Sequence, residues 1–376
     1  MSLKPRFLLL VVLALAGCGT LGRAVVGPVG GRLPAAVPGD LQSAAAGPQV
    51  IPLAAGHGAR RGSFEVYFTD PESPLADQLT GGLDGPLVDA LDSARLSIDM
   101  AAYRLDSFPI RVALLHAQAR GVRLRLVMEG DDLDGWDALA LLEAGVPIVG
   151  DWPDGLMHDK FVIIDGTEVW TGSANFTSSG IYQDHNNFVR INSPELARLY
   201  TDEFEEMYLD RHFGPIAASG GTGTGFLIDD VPVHAYFAPE DQVAARLVSL
   251  ISSAKEHIYF LAFSFTSDAL GDALRGQARH GITVQGVMDA DQVRSNQGSE
   301  YDAFRQAGLT VLADASPGQM HHKVMIIDGA VVVTGSYNFT ASAERRNDEN
   351  LLVIEDADLA TLYLAEFRRL FTAAQP

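Results

Sequence analysis

Two stretches of this chain, far apart in sequence, are nearly the same. Residues 156–176 read LMHDKFVIIDGTEVWTGSANF, and residues 319–339 read QMHHKVMIIDGAVVVTGSYNF. His158 meets His321 at a separation of 163 positions (321 − 158). At that offset Lys160 meets Lys323, Asp165 meets Asp328, Ser173 meets Ser336, Asn175 meets Asn338 and Asn187 meets Asn350. The match continues into the following helix, where Leu196, Leu199, Tyr200, Phe204 and Met207 meet Leu359, Leu362, Tyr363, Phe367 and Leu370. Those spacings place the apolar residues on one helical face. Ser193 and Pro194 supply an N-cap and a first-turn proline for the first of the two helices. A long exact-offset repeat predicts two similar units rather than one continuous fold.

Each unit alternates strand and helix ahead of the repeated motif. In the first copy we expect a strand at 96–103, a helix at 111–120, a strand at 122–128 and a short helix at 138–144. In the second the counterparts are 258–263, 269–280, 283–288 and 301–307. Apolar strands alternating with amphipathic helices predict an α/β sandwich with a mixed, largely buried sheet. Asp165-Gly166 and Asp328-Gly329 are read as two-residue hairpin turns between two strands of each copy. A Ser/Gly/Thr run at 219–225 reads as the linker between copies; its GTGTG lacks the Gly-Lys-Ser/Thr ending of a phosphate loop.

The N-terminus carries a separate message. Lys4 and Arg6 precede an apolar run from Phe7 to Leu15, then Ala16-Gly17-Cys18. Residues 1–17 read as a secretory signal peptide, since the run is too short for a stable membrane span. The only cysteine of the chain falls at the lipobox position, so Cys18 is the expected lipidation site. Residues 18–61, rich in Gly, Ala and Pro, are expected to be a flexible tether. These signals predict a bacterial envelope lipoprotein facing the periplasm or exterior, on the outer membrane if the cell is Gram-negative. One cysteine also excludes an intrachain disulfide and a cysteine-based zinc site. A formal net charge of −21 argues against general adhesion to nucleic acid.

The motif has a chemistry. His158, Lys160, Val162 and Ile164 share one strand face, and Asn175 returns on the neighbouring strand. A histidine, a lysine and an amide suit a tetrahedral anion: Lys and Asn hold non-bridging oxygens while His attacks or moves a proton. Two such sets facing each other put histidines on opposite sides of one phosphorus. Asp165 and Asp328, at turns, either orient the strands or touch substrate. Ser173 and Ser336 either donate to phosphate or close the hairpin.

The pattern His-x-Lys-(four residues)-Asp-(six residues)-Gly-Ser-x-Asn, present twice without a gap, resembles the phospholipase D superfamily. The resemblance implies two tandem α/β/α sandwich repeats with mixed sheets around a pseudo-twofold axis, at residues 62–218 (motif region 152–179) and 226–376 (motif region 315–342). It also implies metal-independent, cofactor-free phosphodiester chemistry through a covalent phosphohistidine. In that scheme His158 is the nucleophile, His321 the general acid and base, and Lys160, Lys323, Asn175 and Asn338 bind phosphate. Family members usually follow the motif with an acid that supports the catalytic histidine. Glu349 fits that place in copy two, whereas Asn186 stands there in copy one. We therefore expect Glu349 to raise the pKa of His321, leaving His158 nearer neutral; Asp184 is the alternative support for His158. The substrate implied is a phospholipid headgroup ester, reached through the lipid anchor, with one chain sufficient for a complete site. Alternatives are a secreted nuclease, a cardiolipin synthase- or hydrolase-like phosphatidyltransferase, and a catalytically retired envelope-binding protein.

Overall fold

The computed structural model describes residues 47–151, 155–216, 224–314 and 316–375. All of them fall within one compact unit, Ala46–Pro376. The predicted signal peptide and Cys18 lie outside the described residues.

The first copy builds one sheet from β1 (Gln49–Leu53), β2 (Gly56–Arg61), β3 (Phe64–Thr69), β4 (Ser97–Ala102), β5 (Arg123–Met128), β6 (Ile148–Gly150), β7 (Lys160–Ile164), β8 (Glu168–Gly172) and β9 (Asn187–Asn192). Its order is β1-β2-β3-β9-β8-β7-β4-β5-β6. The second copy uses β10 (Thr224–Ile228), β11 (Val231–Ala238), β12 (His257–Ala262), β13 (Thr283–Asp289), β14 (Thr310–Asp314), β15 (Lys323–Ile327), β16 (Val331–Gly335) and β17 (Glu349–Glu355). That sheet runs β10-β11-β17-β16-β15-β12-β13-β14. The seven strands from β3 to β6 and from β11 to β14 follow the same spatial order in both copies. In each, three parallel strands continue an antiparallel group, so the predicted mixed α/β sandwich and its repeat are present.

Alternation along the motif strands divides the apolar residues between two layers. Phe161 and Ile163 of β7 face a central core, which they share with Val324 and Ile326 of β15. Val162 and Ile164 face an outer core with helices Asp84–Ser93, Phe108–Ala119 and Trp136–Glu143. Helices Val243–Ser252, Asp268–Arg279 and Tyr301–Gln306 cover the second sheet in the same way. The central layer holds the two predicted amphipathic helices, Pro194–Glu205 and Ala357–Ala373. Ser193 caps the first, accepting from Leu196 N at 3.2 Å, and Asp356 caps the second at 2.8 Å. Leu196, Tyr200, Phe204 and Met207 are buried, as are Leu359, Tyr363, Phe367 and Leu370; Leu199 and Leu362 are half-buried. Each large side chain contributes roughly 1.5–3 kcal/mol of burial, so this layer is what joins the copies.

Two predicted boundaries need correction. Residues 49–61, expected within the tether, form the β1–β2 hairpin on the edge of the first sheet. Its edge strand alternates only weakly between exposed and half-buried, so no hydrophobic period marked it in the sequence. Thr224 and Gly225, expected in the linker, begin β10, while 219–223 lie outside the described residues. Gly225 is a strand residue chosen for close approach: a Cβ there would meet the His234 ring at 2.4 Å.

Candidate active site

The turns that present the motif set its geometry. Asp165 and Gly166 have φ of 53° and 65°, and Asp328 and Gly329 have 52° and 61°, the left-handed pair a tight hairpin needs. One further residue, Thr167 or Ala330, precedes the first paired residue of the return strand. The Asp165 carboxylate accepts from the backbone N–H of Arg95, Leu96 and Ser97 at 2.7–3.2 Å. Asp328 does the same for Lys255, Glu256 and His257 at 2.8–3.0 Å. Burial notwithstanding, those donors hold both carboxylates below the usual range. Both aspartates therefore fasten the turn to the start of β4 or β12.

The chain entering each motif is stapled to the opposite copy. His158 N donates to Asp348 O at 3.0 Å, and Asp348 N donates to Leu156 O at 2.9 Å. Reciprocally, His321 N donates to His185 O at 3.0 Å, and His185 N to Gln319 O at 2.7 Å. The next residue after each staple, Glu349 or Asn186, then lies beside the other copy's histidine. Glu349 Oε2 is 2.8 Å from His158 Nδ1, and Asn186 Oδ1 is 2.9 Å from His321 Nδ1.

This reverses the expected pairing, in which Glu349 served His321. The acid supports the histidine of the opposite copy, because the parallel bridges Met157–Asp348 and His185–Met320 cross the pseudo-twofold axis. Asp184 does not support His158 either; its Oδ1 accepts from Gln319 N at 3.0 Å.

Ser173 and Ser336 act one step behind the histidines. Ser336 Oγ donates to Glu349 Oε2 at 2.7 Å and accepts from Asn350 N. Ser173 Oγ donates to Asn186 Oδ1 at 2.8 Å and accepts from Asn187 N. Asn186 Nδ2 donates to Gly180 O, so its Oδ1 is the atom left facing His321. The imidazole must then carry its proton on Nδ1 and turn Nε2 outward.

Lys160 and Lys323 are buried, their ammonium groups donating to the carbonyls of His158 and His321 at 2.6 and 2.7 Å. Each lies over an aromatic ring, Lys160 over Tyr103 at 4.9 Å and Lys323 over Phe263 at 5.0 Å. The same rings meet the histidines edge-on. Burial lowers Lys160 to about 7 despite Glu349 and Asp159, and pushes Lys323 well below its ordinary value. Burial and then the two lysines keep both histidines well below the usual imidazole range. Glu349 is pushed up to about 7 by burial, against the pull of Lys160, Ser336, Asn347 and Lys323. Asn175 and Asn338 each leave a buried side-chain oxygen without a partner; each amide would meet a phosphate oxygen through its Nδ2, the donor end.

The residue between His and Lys went unread in the sequence. Asp159 and His322 are both fully buried. Asp159 accepts from Asn350 Nδ2 at 2.6 Å, and His322 Nδ1 lies 3.0 Å from Asn187 Nδ2. The asparagines also reach across the axis, Asn350 to Thr171 and Asn187 to Thr334, at 2.7 Å each. A polar side chain immediately ahead of an apolar strand was the available signal. Among the described residues no cluster of three or more His, Cys, Asp or Glu could hold a metal, and no helix is long and apolar enough to cross a membrane.

Comparison with known proteins places this arrangement. The family described as "Cardiolipin synthase, PLD-like domain" matches residues 87–208 and 247–371. The chain is 36% identical over 136 residues to the mitochondrial cardiolipin hydrolase of Homo sapiens, covering 36% of this chain and 54% of that one. It is 36% identical over 132 residues to a phospholipase D of Rickettsia bellii, covering 35% of this chain and 65% of that one. It thus spans between about half and two thirds of the length of these curated relatives. The crystal structure of a phosphatidylserine synthase from Haemophilus influenzae shares the fold, with a TM-score of 0.63, 12% identity, and coverage of 78% of this chain and 86% of that one.

Proposed function

Because this chain belongs to the phospholipase D superfamily, we propose that it is a phosphodiesterase that cleaves phospholipid headgroup esters through a phosphohistidine on His158. The observation that carries this reading is the carboxylate on one histidine only. When His158 Nε2 attacks phosphorus, its ring becomes a cation, and Glu349 at Nδ1 compensates that charge. Binding of the phosphodiester anion favours a second proton on His321, at Nε2; as the phosphorus–oxygen bond to the headgroup breaks, the departing oxygen takes that proton. An imidazolium held only by the Asn186 amide is a stronger acid than one held by a carboxylate, which suits protonation of an alkoxide. Water then enters on the vacated side, gives its proton to His321, and displaces His158. Lys160, Lys323, Asn175 and Asn338 hold the non-bridging oxygens.

This retains the roles expected from the sequence but replaces their reason, since Glu349 acts on the nucleophile rather than on the acid. The family description and the relatives named cardiolipin hydrolase favour a second reading, transfer or hydrolysis of the phosphatidyl groups of cardiolipin. A product assay by mass spectrometry over mixed phospholipids and oligonucleotides separates these. The first reading expects phosphatidic acid, and phosphatidylalcohol when a primary alcohol is present. Intact lipids with cut DNA would replace it by a nuclease.

Anchoring through Cys18 in a bacterial envelope is part of the proposal and rests on the sequence alone. Cys18→Ser should abolish lipoprotein processing; equal membrane partition of variant and wild type would reject the lipobox. We also propose that one chain suffices, as both motif sets lie within it.

A further inference from the structure

His158 and Glu349 are followed by a second pair that crosses the axis. One residue further along each chain, Asp159 Oδ1 accepts from Asn350 Nδ2 at 2.6 Å. On the other side His321 with Asn186 is followed by His322 with Asn187, at 3.0 Å. Consecutive residues thus build a ladder of two rungs on each side, and the first rung carries the histidine.

The second rung beside His158 is tied to the chemistry at both ends. Asn350 N donates to Ser336 Oγ at 3.0 Å, and that hydroxyl donates at 2.7 Å to Glu349 Oε2, the atom 2.8 Å from His158 Nδ1. Asn350 Oδ1 accepts from Thr171 at 2.7 Å and Tyr200 at 3.3 Å, which fixes the amide with Nδ2 toward Asp159. The next acceptor for that Nδ2, Ser336 Oγ, lies 3.5 Å away. At the other end the Asp159 carbonyl accepts from Tyr103 N at 3.1 Å, and the Tyr103 ring packs on both His158 and Lys160. Asp159, Ser336, Glu349 and Asn350 are all fully buried, so removing the Asp159 carboxylate leaves a donor poorly paired away from water.

The charge of Asp159 has a reach of its own. Its Oδ2 has no hydrogen-bond partner. Lys160 follows it, and Glu349 faces it from the second copy. Tyr200 and Glu203 of the Pro194–Glu205 helix, Glu240 beyond β11 and Asp348 complete its titratable surroundings. Lys160 is the cation of that set, and Asp159, like Glu349, favours its ammonium form.

We propose that Asp159 is a positioning residue for the nucleophile: through Asn350 it keeps Glu349 on His158, and its charge complements the Lys160 ammonium. This rests on His158 as the attacking group and deepens that reading.

The test uses the full chain with bis(p-nitrophenyl) phosphate. Asp159→Ala should lower kcat about 30-fold while KM changes less than about threefold, because the reacting groups remain and only their alignment loosens. Asp159→Asn keeps an oxygen for Asn350 Nδ2 and should recover most of that loss below pH 7. Lacking the charge, it should also move the alkaline limb of kcat/KM down by about half a pH unit. Asn350→Ala takes the same rung from its other end, so adding Asp159→Ala to it should cost nothing further. Additive losses overturn the rung. Should Asp159→Ala not fold, an unmoved alkaline limb in Asp159→Asn overturns the proposal by itself. Attack is read apart from turnover in the His321→Ala background, as the Nε2–phosphorus bond forms and p-nitrophenolate leaves. Asp159→Ala should slow that first release about 30-fold. Release at the rate of the background overturns the positioning role and spares the phosphohistidine. Phosphorus absent from His158 in the background itself overturns the nucleophile reading, and the positioning role with it.

Discussion

Beneath the two histidines, the copies keep one frame and charge it differently. In the second copy His322, Glu366 and Arg369 form a compensated group: His322 Nε2 lies 3.3 Å from Glu366, which accepts from Arg369 Nε at 2.9 Å. Arginine and His322 hold Glu366 far below the usual range despite complete burial. At the related positions of the first copy stand Asp159, Glu203 and Glu206. There burial raises Asp159 to about 7 and Glu203 well above its ordinary value, with Glu240 nearby at about 8. The difference teaches that the repeat conserves shape, since Tyr200 and Tyr363 or Asn187 and Asn350 make the same contacts, while charge is assigned to each copy separately. The Glu349–Asn186 asymmetry above the histidines is the same phenomenon nearer the chemistry.

The largest break in the comparison comes from the histidines. His158→Ala and His321→Ala should each reduce turnover by about 10³-fold or more, because the groups act as a unit. They should differ in what they accumulate. With bis(p-nitrophenyl) phosphate, whose leaving group needs no acid, His321→Ala denatured in mild alkali, where the nitrogen–phosphorus bond survives, should carry phosphorus on His158, and His158→Ala should carry none. Phosphate found on His321 instead would exchange the two roles.

Glu349→Gln tests the asymmetry itself and should lower kcat by about 10²-fold, while Asn186→Asp, giving both histidines a carboxylate, should cost about tenfold. Equal effects of the two would mean that the copies do not divide the work.

The pH profile should be narrow. Glu349, raised to about 7, is a carboxylate above that pH, so kcat/KM falls as pH drops through it. Lys160, lowered to about 7, is an ammonium below that pH, so phosphate binding falls as pH rises through it. A bound phosphodiester anion favours the ammonium, which should carry the alkaline limb of kcat above that of kcat/KM. Glu349→Gln should remove the acid limb alone; its persistence would assign that limb elsewhere.

Smaller effects should be symmetric. Asp165→Asn and Asp328→Asn should each cost about 1 kcal/mol in denaturant unfolding, a value reduced from that of a buried charged acceptor because both turns are partly exposed. Both carboxylates are depressed, so this stabilisation is present at neutral pH and is lost as pH falls through their lowered pKa values. A loss at one turn only would show that the fastening differs between copies. Smallest of all, EDTA should leave turnover unchanged, and complete loss on chelation would point to different chemistry.

Much of this was legible in the sequence for a physical reason. Strand and helix periods, the Asp-Gly turns and the Ser193-Pro194 start are local signals, and each element they predicted lies within a few residues of its expected place. Sequence spacing also grouped His158, Lys160 and Asn175, because one hairpin carries them. Which copy's acid would meet which histidine was not legible. Glu349 lies 28 residues from His321 and 191 from His158, and only the crossed backbone bridges bring the distant pair together. The β1–β2 hairpin escaped because a half-exposed edge strand needs no hydrophobic alternation.

The crossed bridges also bear on how such a chain can change. Each histidine takes its partner from the other half, so a substitution near residue 349 is felt at residue 158, and one near 186 at 321. The two halves are therefore epistatic at their centre. Neither can drift toward a new chemistry alone, and a viable exchange of roles would have to travel through paired changes in both halves.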